Sequence, residues 1–259
     1  MTPENGRQTR EFRPQRVAEL VADELRRQII TGELSHELPR EEILLERYQV
    51  SRPSLREAFR ILETEGLIQV RRGRVGGAEI RLPSVDGAAY QLGLVLQSKN
   101  VHLSDLAQAR LVIEPACAEM AANTEDPVSI AAELDQLITE NEALLETPSR
   151  QFTESAQRFH EGITRLCGNM TLSLLAGALE TVWNIHEQHW AEEATTEGSY
   201  PDAAQRSEVI KAHKAIARRI GKGDGAGASR AMRSHLEVSQ PFVDLRDVPL
   251  RVVGTGPRG

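Results

Sequence analysis

The sequence of 259 residues predicts a mainly α-helical protein: an N-terminal winged helix-turn-helix of three helices plus a β-hairpin wing, followed by an all-α helical bundle. Three observations carry that expectation. Apolar residues recur at helical spacing along most of the chain. One short stretch, 67–82, instead reads as two strands around a glycine-rich, basic connection. Charge is also divided unevenly: residues 1–82 hold 15 Arg, no Lys and 14 acids, whereas the remainder holds 16 basic and 24 acidic residues.

The elements follow in order. Residues 1–13 are polar and are expected to form a disordered arm. From Pro14, the positions Val17, Leu20, Val21, Leu25, Ile29 and Ile30 make a helical stripe that Gly32 ends. Leu38-Pro39 leads into a short second helix carrying Ile43, Leu44 and Tyr48. Ser51 is an expected N-cap for a third, with Pro53 tolerated in the first turn because its missing N–H has no intrahelical partner there. Leu55, Phe59 and Leu62 are its buried stripe, and Gly66 stops it. Two strands, Leu67–Val70 and Ala78–Leu82, flank Arg71-Arg72-Gly73-Arg74-Val75-Gly76-Gly77. Together these are expected to form a winged helix-turn-helix over 14–82, followed by a linker and connecting helix over 83–98.

No convincing strand follows. Apolar stripes predict helices near 85–98, 104–122, 128–146, 150–167, 171–194, 201–221 and 225–239. Ser104 or Asp105 is an expected cap, and breaks fall at Asp126-Pro127, Thr147-Pro148, Gly168-Asn169, Tyr200-Pro201 and Gly223-Asp224. The second domain spans 99–240, and 241–259 is expected to be a flexible tail.

Composition excludes several classes. No run approaches the roughly 18 apolar residues of a membrane helix, and no apolar signal region is present, so a cytoplasmic protein without a membrane partner is expected. Cys117 and Cys167 are too few for a disulfide framework or a cysteine zinc site. Aromatics at 4% argue against stacking platforms for single strands. The net charge of −7 is uneven, and residues 47–81 hold eight Arg against four Glu. Arginine's planar fork suits phosphates and guanine edges, so a small nucleic-acid-binding unit joined to an acidic domain is expected.

Residues 50–63, Val50-Ser51-Arg52-Pro53-Ser54-Leu55-Arg56-Glu57-Ala58-Phe59-Arg60-Ile61-Leu62-Glu63, followed by Gly66-Leu67-Ile68, resemble the GntR family of bacterial transcription regulators. The second block looks like the all-helical effector domain of the family's FadR-type branch. Leu106–Glu114 matches its opening helix, and Phe159-His160, Gly168-Asn169, His213 and Ala231-Met232-Arg233-Ser234-His235-Leu236 match later landmarks.

The resemblance implies a homodimer reading two half-sites of a double-stranded, pseudo-palindromic operator. A helix entering the major groove uses its first residues, here Ser51, Arg52, Ser54 and Arg56. By the family pattern Arg52 reads a guanine and Arg56 supports the backbone contact. Arg72, before Gly73, matches a wing residue that enters the minor groove, with Arg71 and Arg74 as alternative phosphate contacts. Relatives often carry an arginine where this chain has Glu42, and Arg40 is the nearby substitute.

In the family's metal-binding branch, His160, His213 and His235 match three ligands of a divalent ion, zinc or nickel. The fourth, an aspartate, is replaced by Ala156, and the neighbouring Gln157 is a poor substitute. Pocket-lining histidines without metal are the alternative. Arg110 is expected to reach an anionic effector, a small carboxylate, or else to form a surface helix pair with Glu114. Trp183 and His186 lie on the helix that walls the cavity in relatives; core packing is the alternative for Trp183 and Trp190. The expected function is a ligand-responsive regulator, a repressor rather than an activator. The rivals are a metal-dependent hydrolase and a constitutive DNA-binding protein with a degenerate pocket.

Overall fold

The computed structural model describes residues 14–71, 77–147, 150–239 and 250. The expected arm, the wing tip with Arg72, Gly73 and Arg74, and all of the expected tail except Leu250 lie outside the described residues. The chain divides after Ser84 into two compact units.

The first unit holds α1 (Pro14–Ile30), α2 (Glu41–Tyr48), α3 (Arg52–Thr64) and the antiparallel pair β1 (Ile68–Val70) and β2 (Ala78–Ile80). Leu25, Ile29, Leu44, Leu55 and Leu62 fill its core with Ile68 and Ala78. Leu20 and Ile30, counted in the α1 stripe, are exposed; Ala18 and Ala22 are buried there instead, letting helices approach closely. Gly66 adopts φ +75°, a left-handed conformation that a side chain would strain, and Leu67 N–H returns to Leu62 C=O at 2.9 Å. That turn throws the chain from α3 directly into β1. Ile68 faces Ile80 and Val70 faces Ala78 across the hairpin. His36 and Leu38 extend the ladder along β2, with Leu38 N–H donating to Ala78 C=O and Ile80 N–H to His36 C=O.

The second unit is built from α4 (Val85–Ser98), α5 (Leu103–Ala122), α6 (Pro127–Glu142), α7 (Arg150–Arg165), α8 (Met170–Glu197), α9 (Ala203–Gly221) and α10 (Gly225–Ser239). Among the described residues no strand follows β2. One apolar cluster joins α5, α6, α7, α9 and α10 around Leu134, Ile138, Phe159, Ile163 and Ile216. A second joins α4, α5 and α8 around Leu103, Leu106, Val182 and Trp183. Cys117 and Cys167 are free, buried thiols.

Several helix ends differ from the sequence expectation; α7 stops at Arg165 and α8 runs on to Glu197, and three other ends have a visible local setting. Helix α5 starts at Leu103 with His102 at the cap, leaving Asp105 within the first turn, where its charge meets the positive end of the helix dipole. Helix α6 stops at Glu142, and tight backbone turns take over at Leu144 and Leu145. Helix α9 starts at Ala203 because Asp202 caps Gln205 N–H at 2.8 Å while the Gln205 side chain accepts from Asp202 N–H, a reciprocal pair that fixes the start.

Candidate functional site

In the first unit, Ser51 caps α3, its hydroxyl accepting from Ser54 N–H at 3.3 Å. Ser54 was expected to reach DNA, but it is 8% exposed and its hydroxyl is paired with that of Ser51 at 2.9 Å. The cap geometry turns it inward. Arg52 and Arg56 are exposed, one helical turn apart on α3, and Arg40 is exposed at the start of α2. Arg52 Nη1 donates to Glu41 Oε1 at 3.2 Å, and Arg71 pairs with Glu79 at 2.5 Å.

The second unit holds a cavity of about 80 Å³, room for several waters or a small organic acid. His160 of α7, His213 of α9 and His235 of α10 converge on it. His213 Nε2 lies 3.1 Å from His235 Nε2, which lies 3.3 Å from His160 Nε2. Phe159 stacks on the His213 ring at 4.0 Å and fixes its plane. Burial pushes the imidazole pKa of His213 well below its usual value, and that of His235 down to about 3. Both stay neutral, the state a metal ligand requires.

The three imidazoles bring candidate ligand atoms within 4.8 Å of one another. A tetrahedral centre with Zn–N of about 2.0–2.1 Å holds its nitrogens about 3.3–3.4 Å apart, close to the two spacings of 3.1 and 3.3 Å that His235 makes. The third imidazole is oriented from behind: His160 Nδ1 donates to Glu114 Oε2 at 2.6 Å, which leaves Nε2 as the lone-pair nitrogen facing its partners. Ala156 lines the cavity one turn before His160 and offers no ligand. Gln157 does not compensate, because its amide is bonded to Glu187 and Gln188.

Arg110 and Glu114 are not a surface pair. They are 6% and 1% exposed, and Arg110 Nε donates to Glu114 Oε1 at 2.5 Å. Stripe geometry explains it: both fall on the α5 face with Leu103, Leu106, Cys117 and Ala121. Burial raises the Glu114 carboxyl, but the charge of Arg110 and the His160 contact outweigh this and bring it to about 2. The Arg110 guanidinium lies 4.4 Å over the Trp183 ring in the cavity wall. On α8 the wall is Trp183, Glu187 and Trp190. Half-buried His186, expected there, lies to one side of that stripe and is not part of the wall.

Three polar residues were missed by sequence reasoning. Glu187 accepts from Gln157 Nε2 at 2.8 Å and from Trp183 Nε1 at 3.1 Å. Arg206, 4% exposed, donates to the main-chain oxygens of Leu145 and Pro201 and closes the turn between α8 and α9 over the cavity. Glu180, 2% exposed, has no hydrogen-bond partner for either oxygen among the described residues. Burial raises its carboxyl pKa well above the usual range, and the nearby Glu114 charge adds to the effect. A buried charged residue within an apolar stripe was the available signal in two cases: Arg206 aligns with Ile210, His213 and Ala217, and Glu180 with Ala176 and Trp183.

Residues 17–76 match the family model described as bacterial regulatory proteins, gntR family, and residues 105–238 match the FCD domain. The chain belongs to the GntR family. The GntR and FCD matches together make it a DNA-binding transcription regulator rather than an enzyme, and the hydrolase alternative falls away. It is 28% identical over 241 residues to the HTH-type transcriptional repressor NanR of Klebsiella aerogenes, covering 90% of this chain and 87% of that protein. It is 28% identical over 217 residues to the galactonate operon transcriptional repressor of Escherichia coli K12, covering 80% and 88%. The GntR protein of Streptococcus agalactiae has the same fold, with a TM-score of 0.62 and 24% identity over 86% of this chain and 99% of that one. No helix among the described residues is long and apolar enough to cross a membrane.

Proposed function

We propose that this GntR-family chain is a cytoplasmic, homodimeric repressor whose affinity for a pseudo-palindromic operator changes when a small carboxylate binds in the FCD domain. Two similar proteins are named as repressors. Residues 14–82 would carry the operator contacts, with Arg52 and Arg56 leading and Arg40, Ser51 and the wing residues Arg72 and Gly73 in support. Residues 99–240 would carry the effector site and the dimer contacts.

The observation that carries this reading is the approach of three imidazole nitrogens, with His235 Nε2 3.1 Å from that of His213 and 3.3 Å from that of His160, at a cavity that also presents Arg110. His160, His213 and His235 would hold zinc or nickel, which when bound supplies a Lewis-acidic anchor for a carboxylate. Arg110 supplies a fixed cation beside it, and Glu114 holds both Arg110 and His160 in place. The terminal nitrogens of Arg110 have no hydrogen-bond partner among the described residues, so they remain donors for an incoming anion.

The test uses the full chain and an operator found by selection from random DNA. Metal content is measured, and operator affinity is titrated with a panel of carboxylates. The reading expects bound metal, a dimer in sedimentation, and a carboxylate-dependent change of operator affinity equivalent to ~1–3 kcal/mol of coupling. A protein that binds its operator identically with and without metal and every carboxylate is a constitutive DNA-binding protein, and the effector reading is lost.

A further inference from the structure

We infer that Glu41, at the start of α2, is a positioning residue for base recognition by α3. It tethers the Arg52 guanidinium by one nitrogen and leaves the opposite edge open for a guanine. This rests on the operator contact proposed for Arg52 above and adds the residue that aims it.

Three arginines lie along α3, and their side chains stand in three different states. Arg60 is closed on its own helix, its Nε and Nη2 both donating to the Glu57 carboxylate at 2.9 and 2.6 Å. Arg56 is exposed and makes no side-chain hydrogen bond among the described residues. Arg52 is held at one corner only. Its Nη1 donates to Glu41 Oε1 at 3.2 Å, a single contact reaching to the first turn of α2. Its Nε and Nη2 make no hydrogen bond among the described residues.

Nε–H and Nη2–H point the same way and form a planar two-donor fork, which matches a carboxylate or the O6 and N7 of guanine. Within this unit that edge already forks a carboxylate twice, in Arg60 with Glu57 and in Arg26 with Glu65. Had Glu41 taken the same edge of Arg52, no fork would remain for a base. Contact through Nη1 instead restrains the guanidinium and keeps its fork open. An unrestrained arginine loses rotamer freedom when a groove orders it, and a tethered one has lost part of that freedom beforehand. Arg56, without such a restraint, suits a phosphate contact, which fixes position and carries no base information.

The frame holds the tether in place. Helices α2 and α3 share a core through Leu44 and Leu55, and Glu41 opens α2, where the positive end of the helix dipole favours its charge. Glu42 stands beside it in the same turn, exposed and without a hydrogen bond or ion pair among the described residues. Only Glu41 touches Arg52. An exposed ion pair adds little to stability in water, so the effect is expected on DNA, where the groove displaces water and the pairing strengthens.

The experiment is a base-substitution scan of the selected operator with the full chain. Arg52→Ala, Glu41→Ala and Glu42→Ala are compared with the unaltered protein on the operator, its single-base-pair variants and random DNA, at one salt concentration. Both glutamate variants remove an acidic charge from the start of α2 and should bind random DNA more tightly by a similar factor. Only Glu41→Ala should lose discrimination, by about three- to tenfold, at the base pair that Arg52→Ala also relaxes. Glu41→Gln keeps the side-chain shape and weakens the acceptor; its smaller loss at that base pair decides the matter should the alanine variant not fold. Full discrimination there in the Glu41 variants would overturn the positioning role while leaving Arg52 as the base reader. Equal relaxation by Glu42→Ala would overturn it too, assigning the effect to charge alone. Arg52→Ala weakening operator and random DNA alike would remove the base-reading role, and this inference with it.

Discussion

Glu114 stands behind His160, its Oε2 2.6 Å from the imidazole Nδ1, while its other oxygen holds Arg110 Nε at 2.5 Å. One buried carboxylate thus orients a candidate metal ligand and a candidate anion-binding cation together. Removing its charge should be felt at both.

Glu114→Gln is therefore expected to weaken metal binding by about 10–100-fold, the usual cost of losing a partner behind a histidine ligand. Competition with a chromophoric chelator measures it. An unchanged affinity would mean that His160 is oriented by packing alone.

Ala156 lines the cavity one turn before His160. Ala156→Asp should bring a carboxylate to the three neutral imidazoles and raise metal affinity, whereas His213→Ala should abolish binding. Metal content and calorimetry on untagged protein are the readouts. No metal in either the unaltered or the Asp form would make the histidines cavity lining only.

Arg52→Ala should cost ~1–3 kcal/mol at the selected operator and leave random DNA nearly unaffected. The Glu41 contact should not obstruct Arg52, since an exposed ion pair contributes little in water. Equal losses on both DNAs would instead make Arg52 a phosphate contact.

Glu180 gives a pH dependence with a definite sign. Its folded-state carboxyl is raised, so above the ordinary value of 4.5 the folded chain holds a proton that the unfolded chain has released. Its contribution to stability then falls as pH rises from that value towards the folded pKa. Glu180→Gln cannot ionise. Its melting temperature relative to the unaltered chain should climb as pH rises above the ordinary carboxyl range. A constant difference over that rise would place a partner on the Glu180 carboxyl.

Periodicity revealed nearly every helix, because an apolar stripe must face a core wherever the chain goes. Helix ends were less legible: the start of α9 depends on a reciprocal cap between Asp202 and Gln205, and the Tyr200-Pro201 break two residues earlier looked the stronger signal. The three histidines were matched through resemblance, since three separate helices give no spacing that shows convergence. Glu187 was not legible as a site residue, because a glutamate on a helix with a mixed surface reads as solvated until Trp183 and Gln157 are seen donating to it. The Arg110–Glu114 spacing was visible, but its burial was decided by which face of α5 meets α8 and α10.

The Arg206 clasp has a bearing on how this cavity can diversify. Both of its acceptors, at Leu145 and Pro201, are main-chain carbonyls, which every amino acid carries. The identities of the residues in those two turns are therefore free to drift while the roof stays fastened. Side chains in those turns other than that of Tyr200, whose ring lies 5.9 Å from the Arg206 guanidinium, can be exchanged for others without loosening the fastening, so ligand preference is open to revision by substitution at the rim with the scaffold left intact.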